Sequence, residues 1–347
     1  MEILKEKDGG KILVIQTAFL GDAVLTLPMI QKLKEMNDNS SIDVLCIHAS
    51  KEIFELSSYI NEIIVMDKKG EHKSFFSLFK FIKLIRSKGY NKIYSPHRSF
   101  RTSLLVLQSG VKETYGFSNA SMFHVYKNLT EYIPNHHEVQ RNLELIGYEY
   151  SGSGWKVLPE VDIPKESDSA VKVFLERNNI NNYFAVIAPG SIWNTKRYPL
   201  EYYEEVIKYF IDQALKVIII GSGEEEEIGK SLEEKFAGNL ISSAGKLTIA
   251  ESLALLKRAK ILISNDSAPT HFGVCADIPV LTLYCSTVPD FGFYPYNEKS
   301  RWLSYAELKC KPCGIHGYAR CPLKHFQCGY KLKVESVISE IKEMMNG

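Results

Sequence analysis

The chain has 347 residues, 45% of them hydrophobic and 24% charged, enough for two domains with buried cores. Its 42 basic and 41 acidic residues leave a formal charge of +1, which gives no electrostatic case for nucleic acid. Met1 to Gly10 lacks the apolar stretch of a signal peptide, no run approaches the ~20 apolar residues of a membrane span, and seven cysteines in so long a chain read as reduced thiols.

Strands and helices alternate from the start. Lys11 to Thr17 is a short apolar run and predicts a buried strand. A helix is expected from Ala23 to Met36, a strand over Ser41 to Ile47, a helix over Lys51 to Tyr59 and a strand over Glu62 to Met66. Phe75 to Ser87 predicts an amphipathic helix with Phe75, Phe76, Phe79 and Ile82 on its core face, and with Lys73, Lys80 and Lys83 suited to an anionic membrane surface. A strand at Lys92 to Ser95 and a helix at Phe100 to Gln108 follow. Gly152, Gly154, Pro159 and Pro164 then break the pattern, so the linker is expected over 155–164.

The alternation restarts with strands at Phe184 to Ala188, Lys216 to Gly221, Asn239 to Ser242, Lys260 to Ser264 and Val280 to Tyr284. Between them lie helices at Leu200 to Asp212, Glu225 to Phe236, Ala250 to Lys257 and Phe272 to Ala276, and a last helix spans Val334 to Met345. Such alternation predicts an α/β fold with two Rossmann-like parallel sheets, whose ligands sit at the carboxyl ends of the strands.

Candidate chemistry gathers at those ends. Ser264-Asn265-Asp266-Ser267-Ala268-Pro269-Thr270-His271 follows a buried strand and opens a helix, a ready phosphate site because free backbone N–H groups point outward there. The plainer reading makes Asp266 a helix cap and His271 a core histidine. Asp22, after the first strand, is a carboxylate at the sheet's end or a helix cap. Pro189-Gly190-Ser191 lets backbone approach a phosphate, and Lys196 or Arg197 could neutralise it. Glu224, after Gly221-Ser222-Gly223, could accept ribose hydroxyls, or belong to an acidic first turn. Arg98 and Arg101 could meet an anionic acceptor, or line a solvated helix face. Cys310, Cys313, Cys321 and Cys328, with His316 and His325 between them, could hold a structural zinc, though the spacing is not that of a common zinc motif; free or paired thiols are the competing reading.

Together these stretches resemble glycosyltransferase family 9, the bacterial heptosyltransferases of lipopolysaccharide core assembly. The likeness rests on the Gly21-Asp22 segment running to Thr26-Leu27-Pro28, on Pro189-Gly190-Ser191 with Thr195 to Pro199, on Gly223-Glu224, on Ser264 to His271 about 240 residues after Asp22, and on the cysteine-rich tail. It implies a GT-B fold: an acceptor-binding domain over 1–158, a nucleotide-sugar-binding domain over 159–332 facing it across a cleft, and a C-terminal helix over 333–347 crossing back to the first domain. It also implies inverting, metal-independent transfer of a heptose from ADP-heptose, with no cofactor, to a lipid-linked anionic saccharide of the lipopolysaccharide core.

By the same resemblance Asp22 is the general base and Lys196 the cation near the donor phosphates. Ser191, Glu224, Asp266, Ser267, Ala268 and His271 bind the donor, and Arg98 and Arg101 the acceptor. Ser267-Ala268 stands where several relatives carry Thr-Gly. The expected setting is cytoplasmic, peripheral to the inner membrane at most. Competing readings are transfer from another nucleotide sugar, a sugar-nucleotide epimerase, and a nucleotide-binding regulatory protein without catalysis.

Overall fold

The computed structural model describes residues 9–67 and 75–346. Contacts divide the chain into Met1–Asp162 and Ile163–Gly347.

The first unit is a six-stranded sheet of β1 (Lys11–Ile15), β2 (Ser41–Cys46), β3 (Glu62–Val65), β4 (Lys92–Ser95), β5 (Glu113–Phe117) and β6 (Asn128–Thr130). The strands run parallel in the order β3-β2-β1-β4-β5-β6. The chain builds outward one way from β1 and then returns to the other side of it, so a topological switch lies between β1 and β4. β1 reads Lys-Ile-Leu-Val-Ile and is buried after its first residue, as a central parallel strand covered on both faces must be. Helices α1 (Leu20–Met36), α2 (His48–Glu55), α3 (Phe75–Ser87) and α4 (Phe100–Ser109) make the crossovers, and α5 (Glu138–Leu145) packs on α1.

The second unit repeats the plan. Its elements are α6 (Lys165–Arg177), β7 (Phe184–Ala188), α7 (Leu200–Asp212), β8 (Lys216–Ile219), α8 (Glu226–Lys235), β9 (Leu240–Ser242), α9 (Ile249–Leu256), β10 (Ile261–Asn265), α10 (Ala268–Cys275), β11 (Val280–Tyr284), β12 (Arg301–Ser304), α11 (Gln327–Tyr330) and α12 (Val334–Asn346). The parallel order is β12-β11-β10-β7-β8-β9, which puts a second switch between β7 and β10.

Two expectations need correction. On α3 it is Phe81, Ile82 and Ile85 that enter the core, while Phe79 is 56% exposed. Lys73 and the side chains of Phe75 and Phe76 lie outside the described residues. Helix α10 begins at Ala268, not Phe272, because Pro269 fits the first turn, where no N–H is needed, and Ser267 precedes it as the capping position. The last helix buries Val337 and Ile341 in a core with Tyr203 and Phe210, and packs on α7. β5, β6, α5, α6, β12 and α11 come where the sequence pattern names no element.

Candidate functional site

In the first unit, polar side chains collect where β1 and β4 end. Thr17 follows β1, and its hydroxyl lies 2.9 Å from His97 Nδ1, in the loop after β4. The same ring nitrogen lies 2.7 Å from Thr102 Oγ1, in the first turn of α4. Asp22 is half-buried in the first turn of α1. It is not the cap: that position is Phe19, whose side chain makes no capping bond. Asp22 therefore supplies a carboxylate where the helix dipole favours negative charge.

Arg98 lies over the Tyr132 ring at 4.0 Å, and Arg141 lies over it at 4.5 Å. Arg141 is fully buried and anchored, donating to Tyr132 Oη and to Glu138 Oε2 at 2.6 Å each. Burial, then the charge of Glu138, raises the Tyr132 phenol above its ordinary range, and the carboxylate of Asp22 adds to that effect. Asp22, Tyr132 and Arg98 thus share one electrostatic neighbourhood. Arg101 is half-buried on the first turn of α4.

The second unit holds the denser cluster, around the ends of β7, β10 and β11. Lys196 Nζ pairs with Asp266 Oδ2 at 2.7 Å, and the two side chains are only 14% and 10% exposed. Thr287, in the loop after β11, donates to the same carboxylate oxygen at 2.7 Å. Asp266 is therefore no helix cap. Arg197 turns elsewhere: its Nε donates to the Ser191 carbonyl at 2.8 Å and its Nη2 lies 3.8 Å from Glu225 Oε1. Of the two cations, Lys196 is the one held against Asp266, while Arg197 braces the loop that carries Ser191.

Asn265 organises this corner and was not singled out by the sequence pattern. Its side chain is fully buried; its Oδ1 accepts from Tyr198 N and Tyr203 Oη at 2.9 Å each, and its Nδ2 donates to the Pro189 carbonyl at 2.8 Å. One amide thus ties the Pro-Gly-Ser loop to the end of β10. A polar residue ending an otherwise apolar strand was the available signal.

Ser267 and Ala268 are half-buried at the start of α10, and no side chain caps that end. In its first turn Pro269 has no N–H and Thr270 N–H donates to the Ser267 carbonyl at 3.0 Å, so an anion beside Lys196 would meet the Ala268 N–H and the positive dipole end. His271, one turn in, is 4% exposed, and its Nδ1 has no hydrogen-bond partner. Burial holds its imidazole down at about 4, with Asp266 opposing and Lys196 assisting, so it is neutral at pH 7. A neutral imidazole with an unused nitrogen is not a satisfied core histidine.

Glu224 and Glu225 divide their roles. Glu225 is buried and accepts from Ser222 N and Oγ at 2.9 and 2.7 Å, completing a capping box. Glu224 is exposed and leaves its carboxylate at the sheet's end.

All four cysteines of the tail are free. Among the described residues, no group of three or more His, Cys, Asp or Glu side chains converges to hold a metal ion, so the zinc reading has no ligand set here. Burial disfavours a thiolate at Cys321, but the N–H groups of Phe326, Leu323, His325 and Lys324 outweigh it and hold the thiol below its ordinary value. No described helix is long and apolar enough to cross a membrane.

Residues 78–319 match the family model of glycosyltransferase family 9 (heptosyltransferase). The chain is 25% identical to lipooligosaccharide heptosyltransferase 2 of Campylobacter jejuni, an alignment covering 96% of this chain and 99% of that one. Its fold matches a glycosyl transferase family 9 protein from Veillonella parvula with a TM-score of 0.84 and 24% identity, covering 98% of both chains. It matches the E. coli ADP-heptose lps heptosyltransferase II with a TM-score of 0.77 and 19% identity, over 96% of this chain and 98% of that one.

Proposed function

This chain belongs to glycosyltransferase family 9, and we propose that it transfers a heptose from ADP-heptose to an acceptor sugar of the lipopolysaccharide core, with inversion and without a metal. The observation that carries the donor half is the Lys196–Asp266 pair beside the uncapped start of α10, at the switch point of the second sheet. Open α/β sheets bind nucleotides at such points. In this reading Lys196, the Ala268 N–H at the dipole end of α10 and His271 take up the charge that grows on the departing diphosphate, a preorganised electrostatic role. Asp266 orients Lys196 and accepts from donor-sugar hydroxyls. Ser191 lines the phosphate loop, and Glu224 accepts from the nucleoside.

Asp22 takes the proton of the acceptor hydroxyl as that oxygen bonds to the anomeric carbon and the carbon–diphosphate bond breaks. Arg98 and Arg101 meet the anionic acceptor. The acceptor's lipid places the enzyme at the cytoplasmic face of the inner membrane, peripherally.

The test is to incubate the protein with ADP-heptose or with UDP-sugars, each with and without heptose-free core lipid, and to follow nucleoside diphosphate release. Release from ADP-heptose that requires the lipid supports the reading. Conversion of a UDP-sugar without acceptor would point to an epimerase. Nucleotide binding without turnover under any condition would point to a regulatory protein.

A further inference from the structure

The cysteine-rich segment between β12 and α11 is fastened to the donor cluster by its backbone. Thr195 N–H donates to the Tyr318 carbonyl at 3.1 Å, and Tyr318 N–H returns a bond to Thr195 Oγ1 at 2.8 Å. Cys313 N–H donates to the Ser286 carbonyl at 2.9 Å. Lys311 Nζ donates to the Tyr284 carbonyl at 2.8 Å and to Ser304 Oγ at 2.6 Å. The anchors are the residue before Lys196 and the residue before Thr287, the partner of Asp266.

Gly317 sits at the closest point. It is buried, with φ of +77°, and a Cβ there would fall 2.9 Å from both Ser286 Oγ and Thr195 Oγ1 and 3.4 Å from Lys196 Cγ. Only glycine lets the strap lie against the Lys196 stem. Ser286 Oγ, at that junction, is buried without a hydrogen-bond partner. His316 precedes Gly317, is exposed, and feels the charges of both Lys196 and Asp266. Burial, then Lys196, keeps its imidazole below its ordinary value, hence neutral at pH 7.

We propose that residues 313–318 form a wall of the donor site and that His316 is a further donor-binding residue, hydrogen-bonding the diphosphate of the nucleotide sugar. This rests on the donor reading given above. The charge logic favours it. Lys196 shares its charge with Asp266 at 2.7 Å, so it offsets only part of the charge of a diphosphate. Further donors are needed, and His316 adjoins Gly317, whose Cβ position lies 3.4 Å from Lys196 Cγ.

The test uses ADP as the probe, titrated calorimetrically into wild type, His316→Ala and His316→Gln, with kcat and KM for ADP-heptose measured alongside. Losing one hydrogen bond to a charged group should weaken ADP binding and raise KM by roughly tenfold in His316→Ala. Gln should recover part of the loss, and Tm measured on each variant separates lost binding from lost folding. ADP affinity and KM unchanged in His316→Ala would overturn this inference alone. Failure of the wild type to bind ADP would overturn the donor reading and this inference with it.

Discussion

Replacing Lys196 by Met removes one charge and keeps most of the side chain's volume. In the folded protein Asp266 then keeps the Thr287 hydroxyl at 2.7 Å, with its side chain 10% exposed. Breaking a fully buried ion pair costs about 3–5 kcal/mol; the residual exposure and the surviving hydrogen bond bring the expectation to about 2 kcal/mol. Catalysis should suffer separately, because in the proposed reaction the cation also meets the leaving diphosphate, and the loss of one such group lowers turnover by ~10²–10³. The double variant Lys196→Met/Asp266→Asn separates the two effects. It leaves no uncompensated charge, so urea denaturation should show most of the stability restored while transfer stays at the level of the single variant. If the single variant transferred sugar within about threefold of wild type, Lys196 would be a structural partner of Asp266 and nothing more.

Other perturbations address one group each. Asp22→Asn should lower turnover by ~10²–10⁴ while donor affinity stays within a few-fold; wild-type turnover would make Asp22 only a first-turn acid. His271 is held at about 4 in the fold, against an ordinary 6.5. The unfolded chain therefore takes up a proton between those values that the folded chain refuses, and stability should fall by about 3 kcal/mol as pH drops from 6.5 towards 4. His271→Gln should flatten that acid limb in denaturation experiments, and an identical limb in the variant would assign it to other groups. Glu224→Ala should cost roughly tenfold in donor affinity with Tm unchanged, whereas Glu225→Ala, which loses the capping box, should destabilise by about 1 kcal/mol; the opposite pattern would exchange their roles.

The central strands were legible because burial on both faces demands continuous apolar runs, as in Phe184–Ala188, where every residue is buried. The edges were not. β12 reads Arg-Trp-Leu-Ser with its first two residues exposed, and β6 has three residues, so neither carries a period. On α3, apolar residues surround the helix, and periodicity alone placed Phe79 inside where Phe81 belongs. For the candidate site, residue types in the loops and turns after the strands made Asp266, Lys196 and Asp22 expectations. Which cation would face Asp266 was settled by the carbonyl of Ser191, which takes Arg197. Which glutamate would be free was settled by Ser222, which takes Glu225. The attachment of the cysteine-rich segment beside Lys196 depends on long-range bonds, such as those between Thr195 and Tyr318, that leave no mark on local composition.

The position of ADP in a crystal of the complex is the most direct test. The diphosphate should lie within hydrogen-bonding reach of Lys196 Nζ and of the Ala268 N–H at the start of α10. Ordered nucleotide with its phosphates away from both would contradict the account.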